Sequence, residues 1–219
     1  MPDNTYIGTN RPEDAGCTFN VFNAMIRRVM GRMGANLPVK VLAVNGVGLN
    51  PVGFVDVQPL VHQVDGTGKP TPRGVIYDVP YIRMQGGSRA IICDPQVGDI
   101  GYAIVSGRDI SNVKVNRAAS VPGSYRHHDV SDAVYVGGLL NAAPTEYIGW
   151  VGDDVHVHTA GKFIVDAASM QVNCAITTTG DITAQGTVTG QTDVKAAGIS
   201  GKSHTHPVTD APGTTGAPE

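Results

Sequence analysis

The spacing of apolar residues changes along this chain, and each change predicts a different element. Over residues 17–33, Phe19, Phe22, Met25, Ile26, Val29, Met30 and Met33 follow an i, i+3, i+4, i+7 rhythm, the signature of an amphipathic helix. Asp14 or Thr18 is placed to cap its start, and Gly34 to stop it. We expect this helix to pack on its own domain; docking onto a partner or a neighbouring subunit is the other reading. From residue 38 the rhythm shortens. Residues 39–44, 52–57, 74–79, 90–93 and 101–105 are β-branched, apolar runs punctuated by Gly, Pro and Asp, which predicts five short strands.

Five strands within residues 38–120 fit a small closed or half-closed barrel of the OB type, following an N-terminal segment at 1–37. Residues 121–148 form a transition. From about Gly149 the texture becomes Gly/Thr/Asp/Val-rich, and Ile164, Met170, Ile176, Ile182, Val188 and Val194 recur every sixth position without a miss. Gly180 and Gly186 keep step two residues ahead of Ile182 and Val188. Period six is neither helical nor a plain alternation, and five-residue strands with a corner every sixth residue fit a β-helix or β-prism. Each hexapeptide offers one sizeable apolar side chain, too little core for a lone chain. Three chains about an axis would pool three such residues per layer and pair their backbone edges. The fold class is therefore expected to be mainly β: an N-terminal barrel with a short helix, then an intertwined homotrimeric needle over 149–206, with residues 207–219 as a tail.

Composition narrows the function classes. A formal net charge of −3 gives no electrostatic case for nucleic acid, and Tyr77, Tyr81 and Arg83 are the only approach to a stacking platform with a basic neighbour. Cys17, Cys93 and Cys174 are odd in number and show no CxxC spacing, so reduced thiols in a protein made in a cytoplasm are expected. Met1-Pro2-Asp3-Asn4 does not open a signal peptide. No window approaches 18 consecutive apolar residues, so no membrane-spanning helix is expected.

The candidate chemistry sits where the periodic tract stops, at Ser203-His204-Thr205-His206-Pro207. In an extended segment His204 and His206 point the same way. One chain then offers two imidazoles, and three identical chains would converge six nitrogens on one point. Imidazole suits Zn, Cu, Fe and Ni, while structural zinc prefers four ligands, so a six-nitrogen cage leaves Fe or Ni. A saturated ion has no open position for substrate, which makes it structural. His156-Val157-His158 is a second such pair, expected on the wet face of a strand, with a second axial metal or an anion between charged imidazoles as the other reading. His127 and His128 face opposite ways in an extended chain and are expected to mark a junction. Asp153 and Asp154 are the nearest approach to a glycosidase carboxylate pair, but no cleft is expected on a thin repeat. No GxSxG or HExxH motif occurs, and no catalytic residues are assigned.

These residues resemble a known family, the central spikes, or membrane-piercing tail tips, of contractile-tailed bacteriophages. The resemblance lies in Val55-Asp56-Val57-Gln58-Pro59-Leu60, Asp78-Val79-Pro80 and Val97-Gly98-Asp99-Ile100-Gly101, followed by Ser131-Asp132-Ala133-Val134 and the terminal Ser203-His204-Thr205-His206. It covers residues 38–206 and implies an OB-fold, a trimeric β-helical needle and an apical iron ion held by His204 and His206 of three chains. It further implies attachment to tail hub or baseplate proteins, a place at the tip of the virion's tail, and transient mechanical passage through a bacterial outer membrane. Pro207 departs from the pattern, since related tips often carry Gly there. The competing reading is a tail-associated receptor- or polysaccharide-binding fibre, or a cell-wall hydrolase.

Overall fold

The computed structural model describes residues 12–206 and 213, so the extreme N-terminus and nearly all of the 207–219 tail, with Pro207, lie outside the described residues. The chain divides into two units, residues 1–160 and 161–219. It is mainly β with few helices. A 3-10 turn, Pro12–Ala15, precedes helix α1, Thr18–Arg32. The strands that follow are β1 (Leu37–Asn45), β2 (Phe54–Pro59), β3 (Gln63–Val64), β4 (Pro70–Thr71), β5 (Ile76–Pro80), β6 (Met84–Gly86), β7 (Arg89–Ile91) and β8 (Ile100–Val105). After a short helix α2 (Ser111–Asn116) come β9 (Ala133–Gly137), β10 (Tyr147–Val151) and β11 (Asp154–His158).

Five of these strands form one antiparallel sheet in the order β5-β2-β1-β8-β9. It curls into a half-barrel because its two edges meet: Tyr81, just past β5, bridges in parallel to Tyr135 on β9, and the Ile82 N–H donates to the Tyr135 carbonyl at 3.1 Å. Bulges in β1 between Val41 and Ala43, and in the β2–β5 pairing between Val55 and Val57, add the local twist that such closure requires. Alternate residues face inward, and Leu37, Val39, Val41, Val55, Val57, Ile76, Val79, Tyr81, Ala103, Ala133 and Tyr135 make the core. Tyr135 is the largest of the fully buried side chains. Its ring lies against Gly101, where any Cβ would collide with the ring and the Val136 carbonyl. Burial pushes the Tyr135 hydroxyl up to about 12.

The sheet differs from the expected strands at one point. Residues 90–93 contribute to an exposed hairpin, β6–β7, and the fifth sheet strand is 133–137, inside the segment assigned to a transition. Two ion-pair clusters explain how the chain crosses that gap. Asp94, just beyond β7, accepts from Arg83 Nη2 at 2.6 Å and from the Gly48 N–H at 2.6 Å. Between β8 and β9, Arg126 Nε donates to Asp132 Oδ2 at 2.7 Å, and its Nη2 lies 3.1 Å from Asp109. Asp109 also accepts from the Ser111 N–H and hydroxyl and, at 2.6 Å, from the Ser124 hydroxyl. The long connection is thus tied down by polar anchors, and β9 reaches the sheet edge in register.

Helix α1 corrects a second expectation. Its N-cap residue is Cys17, which makes no capping side-chain bond, and Asp14 pairs instead with Arg27 at 2.5 Å. At the other end Gly34 donates its N–H to the His128 carbonyl. Among the described residues the apolar face does not pack on the chain's own domain: Phe19, Phe22, Met25, Ile26, Val29, Met30 and Met33 are all exposed.

The acid behaviour of the Asp109 anchor is predictable. The Ser111 hydroxyl first, then the Ser124 hydroxyl and the Ser111 N–H, hold its carboxyl at about 2, below the usual 3.8. A depressed native value contributes stability above the unfolded pKa and loses it as pH falls through the native one. Asp109→Asn should therefore lower the unfolding midpoint at pH 5–7, and its gap from the natural protein should close as pH falls from about 4 to 2. Thermal unfolding across that range checks this; a gap independent of pH would remove Asp109 from the anchoring role.

Candidate metal centre

Residues 159–194 form no strand pair within the chain, and the hexad residues Ile164, Met170, Ile176, Ile182, Val188 and Val194 are between 49% and 76% exposed. Order returns at a small hairpin, β12 (Lys195–Ala196) with β13 (Ile199–Ser200). Its two-residue turn, Ala197-Gly198, has φ of +48° and +85°, the doubly left-handed backbone of a type I′ connection. Gly198 suits that conformation, whereas Ala197 adopts it at some cost.

Downstream of the hairpin the chain folds over Ser200. The Ser203 N–H donates to the Ser200 hydroxyl oxygen at 3.0 Å, and the Lys202 N–H reaches the same oxygen at 3.2 Å. The Gly201 N–H donates to the Val194 carbonyl at 2.8 Å, and Asp193 accepts from the Lys202 N–H at 3.2 Å. A hydrogen bond from the Ser200 side chain is the main cause that draws the Asp193 carboxyl below its usual value. The turn presents His204, half-buried, with Nδ1 at 3.0 Å from the Ser200 carbonyl oxygen. A carbonyl accepts only, so Nδ1 is the donor, and in the neutral ring the lone pair lies on Nε2. That is the arrangement metal-binding imidazoles ordinarily show, with the second nitrogen donating to a carbonyl or carboxylate.

His204 and His206 are brought together, their ring centroids 5.1 Å apart and their planes at 88°. Among the described residues, no group of three or more His, Cys, Asp or Glu side chains converges within one chain.

No family model matches the chain, and comparison with curated proteins finds no match.

The other candidates are placed differently. His156 and His158 share a face of β11, exposed, with His158 stacked on Tyr147 across the hairpin at 5.6 Å. His127 Nε2 sits 2.8 Å from Arg108 Nη1 and so accepts from it, which occupies that lone pair. The His128 carbonyl anchors Gly34. Asp153 lies in the turn between β10 and β11 and Asp154 opens β11, both exposed. A groove of about 310 Å³ beside β5 is lined by Pro59, Gln63, Arg73, Ile76 and Val130 among others, with no carboxylate. Cys17, Cys93 and Cys174 are free and exposed. No helix among the described residues is long and apolar enough to cross a membrane.

Ser200 and Asp193 are the positioning residues that sequence reasoning missed. The signal was present as an Ala-Gly turn followed by a serine four residues ahead of the first histidine, but it is too common a pattern to single out. Ser200→Ala removes the hydroxyl oxygen that accepts from the Ser203 and Lys202 N–H groups and should speed hydrogen exchange at both amides. Unchanged exchange would show that the hydroxyl does not hold the turn.

Proposed function

We propose that this protein is the structural spike of a contractile phage tail, a homotrimer that sheath contraction drives through a bacterial outer membrane. The observation that carries this reading is the exposed hexad tract. Six apolar side chains at six-residue intervals, on a backbone that forms no strand pair over 159–194 among the described residues, have the pattern of one strand of a three-chain β-helix. Such a needle has no free sheet edge, and its work comes from stiffness.

The half-barrel order β5-β2-β1-β8-β9, with β5 and β9 meeting in parallel, supports an OB-fold as the attachment domain toward tail hub or baseplate proteins. His204 and His206 of three chains would hold one ion at the needle's end, and the resemblance to tail spikes makes that ion iron. It would supply cross-linking: six imidazoles saturate it, so it pins three chain ends against fraying. The ligands must be unprotonated, so acid releases the ion. The protein would be made in the host cytoplasm, where its three thiols stay reduced, and reside at the tail tip of the virion.

Elemental analysis combined with native mass is the decisive test. The expected result is a trimer carrying one iron per three chains, and a metal-free monomer would overturn the reading. Replacing both His204 and His206 by Ala should abolish bound metal and leave the trimer; unchanged stoichiometry would move the site elsewhere. Because β9 belongs to the barrel sheet, a needle fragment is best begun after it: residues 139–219 should form a soluble, heat-resistant trimer, and a monomeric or unfolded fragment would rule out an intertwined needle.

A further inference from the structure

The exposed face of α1 has its own periodicity. Phe19, Phe22, Ile26, Val29 and Met33 are spaced 3, 4, 3, 4, which is the a/d pattern of a coiled coil, with Phe19, Ile26 and Met33 at a and Phe22 and Val29 at d. Met25 and Met30 fall on the flanking g and e positions, which usually carry charge. The apolar stripe is thus four positions wide in seven, broader than the a/d-only seam. All seven side chains are between 42% and 73% exposed. Together they present on the order of 800 Å², the amount one partner contributes to a standard interface and above the largest apolar patch of an ordinary monomer.

On the opposite side of the helix the chain makes contact at one place. Ala24, at f, is buried, the Pro12–Ala15 turn packs against the helix, and Asp14 holds Arg27, at b. Gly34 then fastens the C-terminal end to the half-barrel through the His128 carbonyl. The helix is held by its back with its seam outward. At 15 residues, with Gly31 inside it and no capping side chain, it is marginal without a packed face.

We infer that the α1 seam is an interface between copies of this chain: the three helices of the trimer pack together through Phe19, Phe22, Ile26, Val29 and Met33. The inference rests on the trimeric reading above, which supplies the number of copies and, by tethering them, a high effective concentration. Ile at a with β-branched Val at d, inside a stripe broadened by Met at e and g, suits more than two strands better than a narrow two-stranded seam. The oligomer would then be closed by two separate devices, the hexad tract and this helix bundle.

The test uses the full chain with Cys17, Cys93 and Cys174 changed to Ser. Into it goes one new cysteine, Ile26→Cys in the seam or Arg28→Cys on the c position as the control. Native mass is measured first, then the rate of covalent dimer formation with a short bifunctional thiol reagent. A trimer in which Ile26→Cys links roughly tenfold faster than Arg28→Cys, as tethered neighbours should, supports the bundle. A trimer with equal rates overturns it, leaves the needle reading intact, and assigns the stripe to a different protein. A monomer overturns both. Phe22→Cys, in the adjoining layer, repeats the comparison should Ile26→Cys not fold, with the same outcomes deciding.

Discussion

The scarcity of apolar side chains in the repeat is the constraint on which the rest of this protein depends. The large apolar side chains of residues 161–194 are all exposed, and a backbone with no strand pair among the described residues leaves its amides and carbonyls to be satisfied elsewhere. Pairing with further copies of the same segment, as proposed above, would meet both deficits. The half-barrel shows the contrast. There, alternation places every second residue in a shared interior, and one chain suffices to bury Val39, Val41, Val55, Val57 and Tyr135 completely. The two units lie on opposite sides of the threshold at which a chain can fold around itself.

The terminal histidines follow from the same constraint. A strand end without a core beyond it frays, and a two-imidazole offer per chain is of little use unless the chains already converge. What the hairpin and the Ser200 turn add is preparation. The Ser200 carbonyl oxygen engages Nδ1 of His204, which in the neutral ring leaves Nε2 as the nitrogen that the proposed metal site would use. This is a structural use of histidine, in contrast to His127 and His158, whose rings are engaged by Arg108 and Tyr147.

Helix α1 extends the pattern to the other end of the described chain. Its polar back is fixed by an ion pair and a buried alanine, while its apolar seam is left for something outside the chain. A helix of this kind gains its stability from association, so its order and the assembly of the protein are linked.

The period of six, the helix now seen at Thr18–Arg32 and the mainly β character were determined by the sequence itself, because each rests on local spacing that no distant residue alters. Four of the five sheet strands were legible for the same reason, since alternation marks a half-buried strand wherever it is. Only the tertiary structure decided the fifth. Residues 90–93 carry the same β-branched texture as a core strand, but the short turn after β6 folds them back as an exposed hairpin. Residues 133–137 take the sheet edge because the Arg126 anchors and the Tyr81–Tyr135 contact hold them there. The facing of α1 was likewise invisible in its spacing: periodicity shows that a helix has an apolar side, and only the packing of its back on Pro12–Ala15 shows where that side is turned. The same limit applies to His204, whose tautomer depends on a carbonyl oxygen brought within reach by a turn, a contact that no side-chain pattern encodes.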